Sequence, residues 1–265
     1  MSTSKPLQSL LQSPLQPPLP TVRPSSRLVA GLVRGLCRSV LTVMGVRVSV
    51  RGAWPREATL VIANHLSWLD IVAVLARKRC TFVAKSDVRR WPLVGWLGDA
   101  MGVIWVDRHH KRDLLRAIPV LQATLTAGTS VLLFAEGTTT NGQTLLPFKS
   151  GLVEGAVRAG VPVVPIAVTA SASAGDLDAL CWIGDETLVA NIPRVFALRD
   201  ARLTLHAAPA IEPLRGVRAA RKLATAAART AIVARTAGGA ITTAPATQIP
   251  VVRPRTGTPR LTTAS

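Results

Sequence analysis

The chain has 265 residues, of which 48% are hydrophobic and 17% are charged, and its formal net charge is +18. Its positive mean hydropathy excludes a chain that is disordered throughout, and its length suits a single α/β domain. The three cysteines are odd in number and widely spaced, which argues against a disulfide framework or a zinc site and favours a reducing compartment.

The positive charge is concentrated at the two ends. Residues 1–56 contain eight Lys and Arg residues and residues 213–265 contain nine, with no Asp or Glu in either segment, so the middle of the chain is close to neutral. A near-neutral middle with only six Trp, four Phe and no Tyr argues against a nucleic-acid-binding domain. The basic ends suit an anionic membrane surface, or they are a compositional bias without a partner.

The first two segments differ in character. Residues 1–26 are rich in Pro, Ser, Gln and Leu, and we expect a disordered segment without a signal peptide. Residues 27–44 have the pattern of an amphipathic helix with arginines on one side. This helix is predicted to lie on a membrane surface, or to pack on its own domain with its arginines in water. No stretch is long and apolar enough to predict a transmembrane span.

Between residues 45 and 235, short apolar strands alternate with helices. Strands are predicted at 46–51, 58–63, 81–84, 103–106, 130–134, 161–170 and 201–206, and helices at 66–76, 91–101, 111–126, 151–159 and 218–235. This alternation predicts one α/β domain, a mostly parallel sheet covered by helices on both faces. Residues 171–200 are predicted to be irregular, and residues 236–265 to form a disordered basic tail.

His65 and Asp70 are the first candidates for chemistry. His65 follows an apolar strand where a helix is predicted to begin, and Asp70 lies five residues later. At this spacing a carboxylate reaches one imidazole nitrogen and leaves the other free to accept a proton. The alternative is structural, with a histidine at a junction and an acid on a helix face. Since no Gly-x-Ser-x-Gly sequence follows a strand, we expect the reacting hydroxyl to come from the substrate.

Three other strand ends carry polar residues. Glu136, Gly137 and Thr138 follow one strand, where glycine permits a backbone that exposes N–H groups to an anion. Lys85 and Arg108 follow two others, and both residue types bind phosphate. Ligands of open α/β sheets bind at the carboxyl ends of strands, so these residues are candidates for one anion site. The alternative is ordinary turn chemistry with solvated charges.

Taken in order, the motifs resemble those of the glycerolipid acyltransferase family, which includes 1-acyl-glycerol-3-phosphate acyltransferases. The resemblance covers about residues 45–212. It rests on four motifs: Asn64-His65-x4-Asp70, Gly102-x5-Arg108, Phe134-Ala135-Glu136-Gly137-Thr138 and Val161-Pro162-Val163-Val164-Pro165-Ile166. Two departures are Ala135, where the family usually has proline, and Thr139-Thr140, where many members have Arg-Ser.

The resemblance implies an O-acyltransferase with no metal and no cofactor other than its co-substrate. His65, oriented by Asp70, is then the general base that activates a lysolipid hydroxyl for attack on acyl-CoA or acyl-carrier protein. Lys85, Arg108, Glu136, Gly137 and Thr138 are then the residues that hold the acceptor's phosphate or polar head. The implied location is the cytoplasmic face of the cell membrane, with peripheral or monotopic attachment.

The four motifs do not distinguish among the possible acceptors. The resemblance implies 1-acyl-sn-glycerol-3-phosphate, giving phosphatidic acid, as the first expectation and glycerol 3-phosphate as the third. The sequences Ser-Trp-Leu-Asp-Ile, Thr-Thr-Asn-Gly and Pro-Phe-Lys-Ser resemble a bacterial branch that acts on lyso-ornithine lipid, which is the second. A non-enzymatic protein that binds anionic lipid or nucleic acid is the alternative from a different class.

Overall fold

The computed structural model describes residues 27–107, 110–173, 177–182, 187–198, 200–212, 216–217, 219–236 and 242–243. The predictions for residues 1–26 and for Arg108 lie outside this part of the chain. So does the prediction for residues 236–265, apart from Thr236, which ends a helix, and Thr242–Thr243, which form a short strand.

The described residues form seven α-helices and nine β-strands. The helices are α1 Arg27–Val43, α2 Trp68–Arg77, α3 Pro92–Ala100, α4 Lys111–Thr126, α5 Val153–Ala159, α6 Leu188–Phe196 and α7 Ala220–Thr236. The strands are β1 Arg47–Arg51, β2 Leu60–Ala63, β3 Cys80–Lys85, β4 Ile104–Val106, β5 Ser130–Phe134, β6 Thr144–Leu145, β7 Val163–Ser171, β8 Arg202–Ala207 and β9 Thr242–Thr243. Short 3₁₀ helices occupy Ser86–Arg90 and Leu177–Ala179.

Seven strands make one sheet in the order β1-β8-β7-β2-β5-β3-β4. The strands β7, β2, β5, β3 and β4 are parallel to one another, whereas β8 pairs antiparallel with β7 and β1 runs parallel to β8. The central strands β2 and β5 are buried along their whole length, as expected for uninterrupted apolar strands covered on both faces. The prediction of an α/β domain with a mostly parallel sheet is confirmed.

Helices cover the two faces of this sheet. One apolar core joins α1, α2, α3 and α6 to one face, and the second joins α4, α5 and α7 to the other. The prediction that residues 171–200 are irregular is wrong, because this stretch contains α6. The hydroxyl of Thr187 caps α6 by accepting a hydrogen bond from the Ala190 N–H, and the buried Val195 anchors it.

The amphipathic helix α1 has two apolar faces. Val33, Cys37 and Leu41 are buried against the core, and Arg38 Nε donates a hydrogen bond to the Ala76 carbonyl at the end of α2. An outer face carries exposed apolar residues: Leu28, Leu32, Leu36 and Val43. Within the part of the chain that the structure describes, every helix is too short or too polar to cross a bilayer.

Candidate active site

The candidate residues meet where parallel strands end. Ala63 at the end of β2 pairs with Phe134 at the end of β5, so the chain segments that carry His65 and Glu136 leave the sheet side by side. Lys85 ends β3, the next strand along. The topology therefore places these three residues at one edge of the sheet, which is where open α/β sheets bind ligands.

His65 and Asp70 are in direct contact. The imidazole Nδ1 lies 2.9 Å from Asp70 Oδ2, and the Asp70 side chain is completely buried. Since an ionised carboxylate only accepts hydrogen bonds, Nδ1 carries the proton and donates it. The neutral imidazole therefore has its lone pair on Nε2, and Nε2 is the nitrogen that is able to take a proton from a ligand.

The backbone holds the Asp70 carboxylate in place. Its Oδ2 also accepts hydrogen bonds from the backbone N–H of Leu66, at 2.6 Å, and of Ser67, at 2.9 Å. These N–H groups belong to the turn that starts α2, and N–H groups at a helix N-terminus favour a negative charge. The structural and the functional interpretation of Asp70 therefore both apply: Asp70 caps the start of the helix, and it orients the histidine five residues earlier.

Phe134 sets the plane of the histidine ring. The rings of His65 and Phe134 are stacked, with centroids 3.7 Å apart and planes inclined by 13°. Phe134 is buried at the end of β5, and the His65 side chain is only 12% exposed. With one ring face covered and Nδ1 engaged, the imidazole is held in a single orientation.

The Asn64 side chain makes the hydrogen bonds to β7 that a further residue of β2 would make through its backbone. Its side-chain Oδ1 accepts from the backbone N–H of Val168 at 2.7 Å, and its Nδ2 donates to the Val168 carbonyl at 2.9 Å. The side chain thus satisfies both backbone groups of Val168 in β7 after β2 has ended. The motif containing Asn64 was recognised in the sequence, but only the structure reveals that this asparagine frees the chain to turn at His65.

Glu136 connects two loops of the site. Its Oε1 accepts from the backbone N–H of His65 and its Oε2 from that of Leu146, each at 2.9 Å. Burial raises the pKa of this carboxyl to about 7, although the two backbone hydrogen bonds lower it. Both oxygens are engaged by the protein, so the direct contact with an acceptor head group that the resemblance implies stays a prediction.

Gly137 allows a lysine to approach the strand-end loop. Its φ is +79°, and a Cβ at this position would lie 2.7 Å from Lys149 Nζ. Lys149 is itself held by its backbone N–H, which donates to the Ala135 carbonyl at 2.8 Å. Thr138 beside it is exposed. The sequence pattern predicts no role for Lys149, which lies in the sequence Pro-Phe-Lys-Ser.

Thr139 and Thr140 close the loop onto the histidine segment. The Thr139 hydroxyl donates to the Trp182 carbonyl, and the Trp182 N–H donates to the Leu66 carbonyl at 2.9 Å. The Thr140 N–H donates to the His65 carbonyl at 2.8 Å. The position at which many members of the family have arginine is thus occupied here by a side chain bonded within the protein.

Helix α6 is attached to the helix that follows His65. Trp68 Nε1 donates to Oδ1 of Asn191 at 2.9 Å, and the fully buried Asn191 donates from Nδ2 to the Cys181 carbonyl at 3.2 Å. Trp68 is the first residue of α2. The segment that is predicted to be irregular therefore contains a helix that is bonded to the start of α2, next to the His65 loop.

Lys85 and Arg108 are the two predicted cations of the site. Lys85 Nζ lies 2.6 Å from Asp87 Oδ2, and both side chains are partly exposed. Arg108 lies outside the described residues. Its predicted contact with the acceptor stays a prediction, as does that of Lys85.

The structure thus places a buried acid against a histidine at the carboxyl edge of a parallel sheet, and the role of this histidine as a general base stays a prediction. Residues 45–169, just under half of the chain, match the family model described as Acyltransferase. The family resemblance predicted from the four motifs is confirmed.

Named relatives agree with this family. A lyso-ornithine lipid O-acyltransferase of Pseudomonas aeruginosa is 39% identical over 160 residues, which are 60% of this chain and 60% of the relative. A 1-acyl-sn-glycerol-3-phosphate acyltransferase of Neisseria meningitidis is 35% identical over 131 residues, which are 49% of this chain and 51% of the relative. The chain thus spans about half to three-fifths of the length of these curated relatives.

The fold is similar to that of a solved structure. That structure is the 1-acyl-sn-glycerophosphate acyltransferase PlsC from Thermotoga maritima, with a TM-score of 0.59 and 20% sequence identity, and the match covers 77% of each chain. At this identity the likeness concerns the fold alone.

Proposed function

We propose that this protein transfers a fatty acyl group from acyl-CoA or acyl-carrier protein to the free hydroxyl of a lysolipid. One observation carries the proposal: Asp70 orients His65 through Nδ1, which leaves Nε2 to take the hydroxyl proton. The names of relatives in the same family, which act on two different lysolipids, support a lysolipid as the acceptor.

The proposed reaction needs one base. Nε2 of His65 takes the proton of the acceptor hydroxyl while the hydroxyl oxygen attacks the thioester carbonyl. The C–S bond then breaks, the imidazolium returns the proton to the departing sulfur, and the products are the acylated lipid and a free thiol. The carboxylate of Asp70 stabilises the imidazolium between the two proton transfers. General-base catalysis contributes roughly 10²–10⁴-fold to the rate, and holding the two substrates together contributes further.

We assign the acceptor's head group to the residues around the strand-end loop. Gly137 brings the Lys149 ammonium close to the backbone, and Thr138 offers an exposed hydroxyl. Lys85 supplies a further cation at the same edge of the sheet, and Arg108 has the same assignment. Glu136 then acts on the acceptor indirectly, by holding the loops of His65 and Leu146.

The first acceptor we propose is 1-acyl-sn-glycerol-3-phosphate. Lyso-ornithine lipid is the second candidate, and Thr139 favours it: this side chain bonds to the Trp182 carbonyl, whereas an arginine here would add a cation for phosphate. A head group without phosphate has less need of that cation.

A panel of acceptors tests the proposal. Purified protein is incubated with acyl-CoA or acyl-carrier protein and with 1-acyl-sn-glycerol-3-phosphate, lyso-ornithine lipid or glycerol 3-phosphate, and both thiol release and the acylated lipid are measured. We expect transfer to one of the lysolipids, and a loss of about 10²–10⁴-fold in His65→Ala. His206→Ala is the matched control, because this histidine lies on β8 and bonds to Thr169. Failure to acylate either lysolipid, or full activity of His65→Ala, would refute the function.

We also propose that the outer face of α1 lies on the cytoplasmic surface of the membrane, where a lysolipid resides. This face is formed by Leu28, Leu32, Leu36 and Val43. Its apolar residues occur beside arginines and without any acid in α1, which suits a helix lying among anionic head groups.

Vesicle flotation tests this attachment. Wild-type protein is expected to float with vesicles containing anionic lipid, and Leu32→Glu/Leu36→Glu is expected to remain in solution. Leu115→Glu is the matched control, because Leu115 is an exposed leucine of α4, on the other face of the sheet. Flotation of the double variant to the wild-type extent would exclude α1 as the attachment surface.

A further inference from the structure

A cavity of about 360 Å³ lies between the loop at residues 147–150 and helix α7, away from the side chains assigned above. This volume is within the range of small-molecule pockets, roughly 300–1,000 Å³. The residues that line it combine apolar, hydroxyl and basic groups: Pro147, Phe148, Ser150, Lys222, Thr225 and Arg229.

The charge of the cavity is positive. Two of its lining residues, Lys222 and Arg229, are basic, and among the described residues no acidic side chain lines it. The helix that supplies them contains no Asp or Glu along its whole length. A concave site with one sign of charge attracts ligands of the opposite sign, so the ligand is expected to be an anion.

Arg229 is placed to bind such an anion. Its NH2 group donates to the Leu145 carbonyl at 3.3 Å, which fixes the side chain against the loop. Within the described residues, its Nε is buried and has no hydrogen-bond partner. A guanidinium has five N–H donors in a planar fork that matches a phosphate. Since the Nε donor is buried, the terminal N–H groups of this cavity-lining residue are the ones assigned to the anion.

The loop beside the cavity also forms part of the His65 site. The carboxylate of Glu136 joins the His65 N–H to the Leu146 N–H, and Arg229 holds the adjacent Leu145 carbonyl. Phe148 lines the cavity, whereas the next residue, Lys149, lies against Gly137. The cavity and the site of His65 are therefore neighbours that share one loop.

We propose that this cavity binds the phosphate end of the phosphopantetheine arm of the acyl donor. This inference rests on the proposed function, in which the donor is a thioester. Acyl-CoA and acyl-carrier protein both carry the acyl group on such an arm, with a phosphate at the far end from the sulfur. The cations of Lys222 and Arg229 bind the phosphate, and Pro147 and Phe148 contact the apolar part of the arm that leads toward His65.

Binding without turnover provides the test. The full chain carrying His65→Ala is titrated calorimetrically with CoA, with 4′-phosphopantetheine and with pantetheine, which lacks the phosphate. We expect the two phosphorylated ligands to bind about tenfold more tightly than pantetheine, since a hydrogen bond to a charged group is worth about that factor or more. Adding Lys222→Ala is expected to remove most of this difference.

Arg221→Gln is the matched control. Arg221 precedes Lys222 in α7 and carries the same charge, but it lies 3.8 Å from the Glu154 carboxylate on α5 and does not line the cavity. If Arg221→Gln weakens phosphopantetheine binding as much as Lys222→Ala does, the effect is one of general charge and the inference is wrong. Unchanged binding in Lys222→Ala would overturn it as well.

Kinetics separate this inference from the proposed function. In otherwise wild-type protein, Lys222→Ala is expected to raise the donor KM for acyl-CoA and for acyl-carrier protein alike and to leave the acceptor KM unchanged. A rise for acyl-CoA alone would place the nucleotide rather than the shared phosphate in the cavity and would overturn the assignment. Acyl transfer by the wild type with no effect of Lys222→Ala refutes only the cavity. Phosphate-dependent binding without acyl transfer refutes only the function.

Discussion

Asp70 Oδ2 accepts three hydrogen bonds, and one of them, from His65 Nδ1 at 2.9 Å, is the contact on which the proposed chemistry depends. The other two come from backbone N–H groups, so the carboxylate cannot rotate away from the imidazole without losing them. The orientation of the base is therefore built into the turn that begins α2.

Replacing this acid with its amide separates orientation from charge. In Asp70→Asn the side chain has similar size, and its amide oxygen can take the place of Oδ2, which also accepts from the Leu66 and Ser67 N–H groups. The neutral amide no longer stabilises the imidazolium, and we expect kcat to fall by about 10²–10⁴-fold with little change in either KM. Steady-state kinetics at saturating donor measure this loss. A variant that unfolds at the wild-type temperature and keeps wild-type kcat would contradict the role of Asp70.

The titration of Glu136 affects stability. Its pKa in the folded protein is about 7, above the ordinary value of about 4.5, so between these values the folded state binds more protons than the unfolded state. The contribution of Glu136 to the free energy of unfolding is therefore largest below pH 4.5 and falls as the pH rises to 7. Glu136→Gln removes this dependence.

Urea unfolding of both proteins at pH 5 and pH 8 checks the prediction. We expect the free energy of unfolding of the wild type, relative to that of Glu136→Gln, to fall by about 2 kcal/mol between these two pH values. Glu154→Gln is the control, since this partly exposed glutamate on α5 is not held by the site loops. If the free energy of unfolding of the wild type, relative to that of Glu136→Gln, is unchanged or larger at pH 8 than at pH 5, burial does not dominate the pKa of Glu136.

Gly137→Ala introduces backbone strain and a steric clash. The left-handed φ of +79° is unfavourable for alanine, and the new Cβ would meet Lys149 Nζ at 2.7 Å. We expect a loss of about 1–2 kcal/mol in the free energy of unfolding and a higher acceptor KM, because Lys149 must move. Gly128→Ala is the control, since its φ is +81° and its Cβ would meet nothing within 4 Å. An unchanged acceptor KM in Gly137→Ala would argue against Lys149 in the head-group site.

The bond between Trp68 and Asn191 is expected to hold α6 against the site. Trp68→Phe removes the indole N–H and leaves the buried Asn191 Oδ1 without the donor found at 2.9 Å. This change is expected to cost about 1–3 kcal/mol in the free energy of unfolding. Hydrogen exchange is expected to quicken in residues 187–198 more than in β5. Equal protection of both segments in Trp68→Phe and wild type would mean that other contacts hold α6.

Much of the fold could be predicted because many of its helices and strands have recognisable local sequence patterns. The strand β5 and the helix α4 begin and end at the predicted residues, since a bounded apolar run and a 3.6-residue period are properties of neighbouring residues. The same holds for the order of the site motifs along the chain. A parallel sheet then brings strand ends to one edge whatever the details of packing.

Helix α6 shows where local pattern is insufficient. It is nine residues long and contains Pro193, which within a short segment is typical of a break. It is attached to the rest of the domain through Asn191, whose partners Trp68 and Cys181 lie 123 and 10 residues away. The reversed directions of β1 and β8 depend in the same way on pairing between distant segments.

The amino-acid sequence alone identified His65 and Asp70, because a contact over five residues is governed by local backbone geometry. It also located the positive charge at the two ends of the chain. The tertiary structure decided that Glu136 binds the Leu146 N–H and that Lys149 lies against Gly137. It also decided that one face of α1 packs on the core while the other stays exposed. It also brought Lys222 and Arg229 of the basic C-terminal segment beside the loop at 147–150. These contacts join residues far apart in the chain, and hydrophobic periodicity carries no information about which distant segment a side chain will meet.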